Sequence, residues 1–434
     1  MPTTRDPAVT QMKRPSDALR SFYQLVPQAL AYGSVVGAMS LLMPLTAASL
    51  GGDSAAIGWV VGCRGLGHVL LVLPVAWLVD RYGSGPVLLV SSLASAACMF
   101  ALAAAPTFSY LATLALLEGF TCSSRLTALN AWFFECATDV PNERIGWYKG
   151  ATSLGVALLG PAIASAIVLR AGLNVAFLGI GVVVIFSCGK LASSLTSARY
   201  CPPSVTRRYF VETWQTCRQP MVGVICLAEA VSVGFMTSYR TLVIVLVVQV
   251  WQLSRSWVPA VILPFGIAYV MTLFAFGNLL RRVSDIRLIV AGSVLLTVSL
   301  IIASRISSVP LLQAISIGLG VSVGIYSIVV YARSAKLVGE ASILSGIFTT
   351  TAGLGLAGIP VASGYIASSC SAQVALLCFA PVLLVTGWFL GTQRVTSQPL
   401  ISCATTVEKS QQLEHANVRA TTAPRADVGR TTLQ

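Results

Sequence analysis

Residues 76–89 read AWLVDRYGSGPVLL and place an Asp-Arg pair and two glycines between two long apolar runs. Charge is scarce along the chain, and the long stretches that carry none include 21–52, 256–280, 306–332 and 341–393. A transmembrane helix needs about 20 mostly apolar residues, so each stretch holds one span and the last holds two. Residues 76–89 therefore predict a charged turn between two membrane-spanning helices.

The composition excludes a soluble globular protein. Of 434 residues, 56% are hydrophobic and only 10% are charged, whereas soluble domains carry about 25% charged residues. Residues 1–20 are polar and lack the features of a signal peptide, and the first apolar run is too long for one, so it is predicted to be retained as a span. The fold class predicted is an all-α integral membrane protein.

Twelve spans are predicted, in two groups of six separated by a basic linker at residues 190–219. The N-terminal half, 21–189, and the C-terminal half, 220–391, lie between a tail at 1–20 and a tail at 392–434 that is predicted to be disordered because it is polar and lacks periodicity. The spans are 24–50, 56–79, 86–104, 108–136, 150–169, 172–189, 220–248, 256–280, 288–304, 310–332, 342–366 and 372–391.

The Lys and Arg distribution predicts the orientation. The side that holds both termini carries 22 of these residues and the other side carries 3, at Arg170, Arg255 and Arg305. Positive charge accumulates in cytoplasmic loops, so both termini are predicted to be cytoplasmic, in an inner or plasma membrane. This asymmetry and attraction to anionic lipid account for the net charge of +13 without nucleic-acid binding.

Metal, redox and enzymatic chemistry are not predicted. The eleven cysteines are scattered and show no ligand spacing, so they are interpreted as small packing residues. No phosphate-binding GxxxxGK[ST] loop and no nucleophile–base constellation appears. We expect no cofactor and no bound metal.

The two halves resemble each other in sequence. FGNLLRRVSDIRLIVAG, at the end of the eighth span, aligns with the opening stretch at an offset of 201 residues and places Arg281 and Arg282 opposite the Asp-Arg pair. The segments around Pro161 and Pro360 align at an offset of 199. Two matches at nearly one offset predict parallel six-span repeats, a known architecture of transporters.

Taken together, residues from about 20 to 392 resemble the major facilitator superfamily. That family's pattern in the loop after the second span is similar to Gly-x-x-x-Asp-Arg-x-Gly-Arg-Arg. Here Asp80, Arg81 and Gly83 match, Ala76 replaces the first glycine, and Ser84 and Gly85 replace the basic pair. The resemblance implies alternating access between two states, and it implies a monomer.

The loop has a physical reason for its composition. Gly83 and Gly85 allow a tight reversal of the backbone. In the resembled family the Asp meets a helix N-terminus and basic residues, and the resemblance implies that Asp80 and Arg81, with Arg281 and Arg282, latch one conformation. An anion at a helix N-terminus is favoured by about 0.3–1 kcal/mol. The alternative is a merely solvated turn.

The fifth span reads GATSLGVALLGPAIASAI and resembles a motif of the family's proton-coupled exporters. It contains Gly150, Gly155, Gly160 and Pro161. Small residues permit close helix packing, and proline removes a backbone hydrogen bond. The resemblance implies a surface that rocks against the other half; ordinary small-residue packing is the alternative.

Five ionisable residues lie well inside spans and are functional candidates because burial of charge in a bilayer is costly. They are Arg64, Glu118, Arg125, Glu229 and Arg240. Glu118 and Arg125 are seven residues apart, on nearly the same side of a helix and about 10.5 Å apart along its axis. The resemblance implies that spans 1, 4, 7 and 10 line a central cavity.

Glu118 and Glu229 are the candidate proton carriers, because burial raises the pKa of a carboxyl group and a nearby Arg lowers it. The alternative is a permanent ion pair with one of the three arginines. Arg125, Arg64, His68 and Arg240 are candidates for the substrate cavity. Snorkelling of Arg64 and Arg240 toward the outer surface, and simple packing of His68, are the alternatives.

Three arginines against two carboxylates suggest a substrate with an anionic group. The sequence therefore predicts a secondary transporter that exports a small organic molecule, such as a drug, siderophore or other secondary metabolite, in exchange for protons. Proton-coupled import of an organic acid or iron chelate is the alternative, and a receptor that transports nothing is a further one.

Overall fold

The computed structural model describes residues 15–137, 142–192, 218–276, 283–306, 308–334 and 341–392, and within these ranges the chain is helical with short connections and no strand. The N-terminal tail up to residue 14, the predicted disordered tail from residue 393 and all but the ends of the basic linker lie outside the described residues.

Thirteen α-helices are numbered here in chain order. The first seven are α1 (Pro15–Ser49), α2 (Ser54–Leu70), α3 (Val72–Tyr82), α4 (Ser84–Ala103), α5 (Phe108–Ala137), α6 (Asn142–Leu154) and α7 (Gly160–Ala192). The others are α8 (Pro220–Ile244), α9 (Trp257–Phe276), α10 (Asp285–Ala303), α11 (Val309–Ser334), α12 (Ala341–Ser369) and α13 (Ala372–Thr392). π-helical turns at Gly155–Leu159 and Val245–Val250 join α6 to α7 and extend α8.

These helices form the twelve predicted spans. The second span is α2 and α3, interrupted at Leu71, and the fifth runs through α6, the first π-turn and the first part of α7. Gly172, with φ of 88°, breaks α7 into the fifth and sixth spans. Nine described segments are apolar and long enough to cross a membrane by themselves, and one of these, Gly150–Ser187, holds two spans. The remaining spans are the interrupted α2–α3 and the charge-bearing α5.

An even number of spans brings the start of α1 and the end of α13 to one side of the bundle, called here the terminal face; the other side is the opposite face. The most apolar 18-residue windows of α1, of α8 with its π-turn, and of α11 are 78%, 83% and 72% buried, whereas those of the other candidate spans are 28–50% buried. The first, seventh and tenth spans are therefore central, and the others expose apolar side chains outward to lipid.

Glycines let the helices touch backbone to backbone. A Cβ atom on Gly160 would lie 2.2 Å from the carbonyl oxygen of Ser34, and one on Gly33 would lie 2.3 Å from that of Thr152, so α1 packs directly on α6 and α7. Lipid tails are as apolar as the side chains, so close packing of this kind, rather than hydrophobic burial, holds membrane helices together.

The two halves meet along two pairs of helices. Gly65 of α2 packs on Ala357 of α12, where an added Cβ would lie 2.3 Å from the backbone nitrogen. Gly266 of α9 packs on the first π-turn, where an added Cβ would lie 2.0 Å from the carbonyl oxygen of Ala157. The second span thus meets the counterpart of the fifth, and the fifth span meets the counterpart of the second, as expected for two parallel repeats related by a two-fold axis.

We predict that Gly160→Ala destabilises the folded protein, because the added methyl group would overlap Ser34 and Ala38 of α1. Overpacking costs about 1–3 kcal/mol, which a lower thermal midpoint in detergent would reveal. Gly358→Ala is the matched control, since nothing lies within 4 Å of its added Cβ. Equal midpoints for the two variants would contradict the close contact between α1 and α7.

Candidate functional site

A buried ion pair joins α2 to α5. The helices approach closely at Gly119, where an added Cβ would lie 2.0 Å from the carbonyl oxygen of Arg64. Arg64 Nε donates to Glu118 Oε2, and Arg64 Nη2 lies 3.4 Å from Glu118 Oε1. The two residues are 4% and 1% exposed. Both oxygens of the carboxylate are therefore engaged by one guanidinium group away from water.

This pair continues into a chain of polar contacts that reaches α1. Arg64 Nη2 donates to Cys122 Sγ at 3.6 Å, and Cys122 Sγ shares a 3.3 Å hydrogen bond with Tyr32 Oη. The guanidinium carbon of Arg125 lies 5.5 Å from the centre of the Tyr32 ring. We call Arg64, Glu118, Cys122, Tyr32 and Arg125 the N-half polar cluster; it links the first, second and fourth spans.

Arg240 connects the two halves. It projects from α8, is 2% exposed, and donates through Nη1 to Ser40 Oγ at 2.7 Å and through Nη2 to the carbonyl oxygen of Val156 at 3.2 Å. Both acceptors belong to the N-terminal half. A single C-half side chain is thus bonded to the first and fifth spans at once.

The π-turn explains why Val156 offers its carbonyl. The N–H of Gly160 bonds to the oxygen of Gly155, five residues back, instead of to Val156. A π-type partner for Val156 would be residue 161, which is a proline without an N–H. The Val156 oxygen consequently lacks a helical donor, and a buried carbonyl without a partner is costly. Arg240 supplies that partner.

Further contacts close the bundle at the opposite face. Gln249 Nε2 donates to the carbonyl oxygen of Gly52 at 2.8 Å, and Trp59 Nε1 donates to Tyr365 Oη at 3.0 Å. Gly58 packs against the Pro360 carbonyl, which would lie 2.6 Å from an added Cβ. Toward the terminal face the contact between α6 and α9 is looser, since a Cβ on Gly150 would lie 3.7 Å from Phe274.

Two alternatives that the sequence left open for the arginines are resolved by the structure. Arg64 and Arg240 do not snorkel, because both side chains are buried. Arg64 is paired with a carboxylate, and Arg240 donates to acceptors across the interface between the halves. Glu118 faces Arg64 of the neighbouring span rather than Arg125 of its own helix, since seven residues separate the latter two along α5.

His68 and Glu229 are both buried but belong to different neighbourhoods. His68, 7% exposed, lies one turn from Arg64 and packs against α12, where its Cδ2 would be 3.1 Å from a Cβ on Gly353. Glu229, 8% exposed, lies on α8 beside Ala230, whose carbonyl oxygen would be 2.0 Å from a Cβ on Gly355. Their roles as substrate contact and proton carrier stay predictions.

The turn at residues 82–84 is formed by one glycine. Gly83 has φ of 85° and ψ of 161°, and it ends α3 and precedes α4. Gly85, expected to share this role, lies inside α4. Arg81 stacks on Trp77 and Tyr82, with its guanidinium carbon 5.3 and 5.5 Å from the ring centres. The side chain of Asp80, and Arg281 and Arg282, lie outside the described residues, so the latch stays a prediction.

Several contact residues escaped the sequence analysis. Cys122 is four residues from Glu118, one helical turn, so its position between two candidate charges was a usable signal. Tyr32, Ser40 and the Val156 carbonyl gave none, because their partners are 90, 200 and 84 residues away.

Comparisons with known proteins agree with this arrangement of helices. The family model described as Major Facilitator Superfamily matches residues 26–257. The fold is similar to two crystal structures of the nucleoside transporter NupG, at 15% identity for a point mutant and 14% for the other. The TM-scores are 0.67 and 0.65, with 85% and 86% of this chain and 98% and 100% of the NupG chains covered. A search of curated protein sequences found no match.

The match to a family of transporters indicates a multi-pass membrane transporter rather than an enzyme. The family match extends over more than half of the chain, and the chain belongs to the major facilitator superfamily.

We predict that Arg64→Gln destabilises the protein because it leaves Glu118 buried without its partner. Breaking a buried ion pair costs about 3–5 kcal/mol, and unfolding in detergent would measure the loss. The double variant Arg64→Gln with Glu118→Gln recovers most of it, since no isolated charge remains. Arg81→Gln, at an exposed position, is the control. A double variant as unstable as the single one would rule out the pair as the cause.

We also predict that Arg240→Gln weakens closure of the opposite face, because Ser40 and Val156 lose their donor. The substitutions Trp59→Cys and Tyr365→Cys, in a background without exposed Cys370 and Cys378, would report closure by bismaleimide crosslinking. A protease site is introduced within residues 193–217. After cleavage, the two halves run separately on a gel unless the crosslink joins them.

The control is Gln313→Ala, which removes a bond to Ala260 inside one half and should leave crosslinking unchanged. Unchanged crosslinking in Arg240→Gln would show that other contacts suffice to close the opposite face.

Proposed function

We propose that this chain is a proton-coupled secondary transporter that exports a small organic molecule by alternating access. The observation that carries the proposal is the arrangement of buried charge across the half interface. Glu118 lies in one half, Glu229 lies in the other on the most buried span, and Arg240 bonds from the second half to the first. Protonation of a carboxyl group in such a place changes the balance of charge between two rocking bodies.

The contacts at the opposite face support one step of the cycle. They consist of hydrogen bonds of Gln249 and Trp59 and of close glycine contacts between α2 and α12. A face held by such contacts can open without unfolding a helix, because the helices move as rigid bodies. The loop signature with Asp80 and Arg81, whose role stays proposed, would act on the terminal face in the other half of the cycle.

Glu229 is proposed as the main proton carrier, and Glu118 as the second carboxyl group in the pathway. Glu118 is held by Arg64 in this conformation. Glu229 lies on α8, the helix that also carries Arg240. A change of charge at Glu229 is thereby connected to the inter-half contact through one rigid helix of about 17 Å between the two positions.

The direction proposed is export, in an inner or plasma membrane with both termini in the cytoplasm. It rests on the resemblance of the fifth span to exporters and on the basic residues of the terminal-face loops. Residues Gly155, Gly160 and Pro161 of that span pack on α1 and shape the π-turn that Arg240 contacts. Import of an organic acid by the same cycle is the competing hypothesis.

The test is proton flux in proteoliposomes that contain the purified protein and an imposed pH gradient. Pools of organic acids, siderophores, amphipathic drugs and nucleosides are added in turn, the last because the similar structures are nucleoside transporters. A pH change that depends on one pool supports coupled transport. No flux with any pool, from folded protein, favours the receptor hypothesis. Lower cellular accumulation of that pool on overexpression indicates export, and higher accumulation indicates import.

We predict that Glu229→Gln abolishes proton-driven uphill transport but preserves counterflow exchange of substrate. The amide cannot take up or release a proton, whereas its size and shape match those of the carboxyl group. Glu408→Gln, which removes the same charge from the C-terminal segment, is the matched control and should transport as the unmodified protein does. Unimpaired uphill transport by Glu229→Gln would remove this residue from the coupling mechanism.

A further inference from the structure

Arg125 is a buried cation whose charge is not matched by its neighbours. It is 3% exposed, and its Nε has no hydrogen-bond partner. Among the described residues no carboxylate lies within ion-pair distance of it, while Arg64 has one. Its guanidinium carbon lies over the face of the Tyr32 ring, 5.5 Å from the ring centre.

The other members of the N-half polar cluster are already engaged. Glu118 accepts from Arg64 through both oxygens, and it lies two turns away along α5, about 10.5 Å. Tyr32 Oη and Cys122 Sγ bond to each other. Nothing in the N-half polar cluster is left to neutralise the second guanidinium group.

A guanidinium group cannot resolve this situation by losing its proton, because arginine stays protonated in proteins. An aromatic face stabilises a cation, yet it replaces only part of the hydration that burial removes. An anion that arrives from water would be held by a planar fork of donors, the geometry that suits carboxylate. The site is thus prepared for a partner that the described residues do not supply.

We propose that Arg125, backed by Tyr32, binds the anionic group of the transported molecule, and that this molecule is an organic carboxylate. The proposal rests on the transport function proposed above and specifies its substrate class. Arg125 lies 12 residues from the terminal-face end of α5, about 18 Å along the axis. Because the opposite face is closed by its own contacts, the carboxylate enters from the terminal face in this conformation.

The test is equilibrium binding in detergent at neutral pH, without a proton gradient. Carboxylates and their neutral amides are compared as matched pairs: benzoate with benzamide, nicotinate with nicotinamide, and lactate with lactamide. The concentration dependence of the thermal midpoint gives Kd. Chloride and phosphate form a separate arm, because an inorganic anion could occupy the same fork.

At least one carboxylate is expected to raise the midpoint of the unmodified protein where its amide does not. Arg125→Gln is expected to raise the Kd of that carboxylate about tenfold or more. Arg125→Lys keeps the charge but loses the planar fork of donors, so its Kd should lie between those of the unmodified protein and Arg125→Gln. Arg255→Gln removes an exposed arginine and should leave Kd unchanged.

Three results would overturn the assignment: no carboxylate distinguished from its amide, equal binding by Arg125→Gln, or stabilisation by inorganic anions alone. If Arg125→Gln does not fold, Arg125→Lys and Tyr32→Leu give the same comparison. Binding that depends on Arg125 without any proton flux keeps this inference and rejects the transport proposal. Proton-coupled flux of neutral molecules without carboxylate binding rejects this inference and keeps the transport proposal.

Discussion

Arginine in a membrane interior cannot discard its charge, and the organisation of this transporter follows from how the guanidinium groups of Arg64, Arg240 and Arg125 are accommodated. Arg64 has a carboxylate, Arg240 has a hydroxyl and a backbone carbonyl, and Arg125 has an aromatic face. The first solution ties two helices within one half. The second ties the halves to each other, and the third leaves an electrostatic demand that a ligand can meet. Three residues of one type thereby perform three different tasks.

The fifth span shows how a local irregularity becomes a long-range contact. Pro161 cannot donate a backbone hydrogen bond, the preceding turn widens to π geometry, and the Val156 carbonyl is left for a donor from elsewhere. Glycines on α1 and the fifth span bring the backbones close enough for Ser40 to share that donor with Val156. A proline that would weaken an isolated helix here creates the acceptor through which the two halves are joined.

The sequence predicted most of the fold, because charge-free runs, short polar turns and a repeat of about 200 residues constrain the number and order of spans. It also identified Glu118, Arg64, Arg125 and Arg240, since ionised groups in apolar runs are conspicuous. Their partners were not predictable. The sequence does not show whether an arginine side chain extends to the membrane surface or turns into the bundle. The packing of α2 on α5 decides this for Arg64, which turns inward to Glu118. Tyr32 and Val156 carry no unusual local pattern that could mark them.

The bond from Arg240 to Val156 has a consequence for how the chain can vary during evolution. Its acceptor is a main-chain oxygen, which every amino acid possesses, so the identity of the side chain at position 156 is not constrained by this contact. The constraint falls instead on positions 161 and 37. Proline at 161 has no N–H to bond to the Val156 oxygen, and a Cβ atom at 37 would lie 2.5 Å from that oxygen. Selection for this contact therefore constrains residues that take no part in the hydrogen bond.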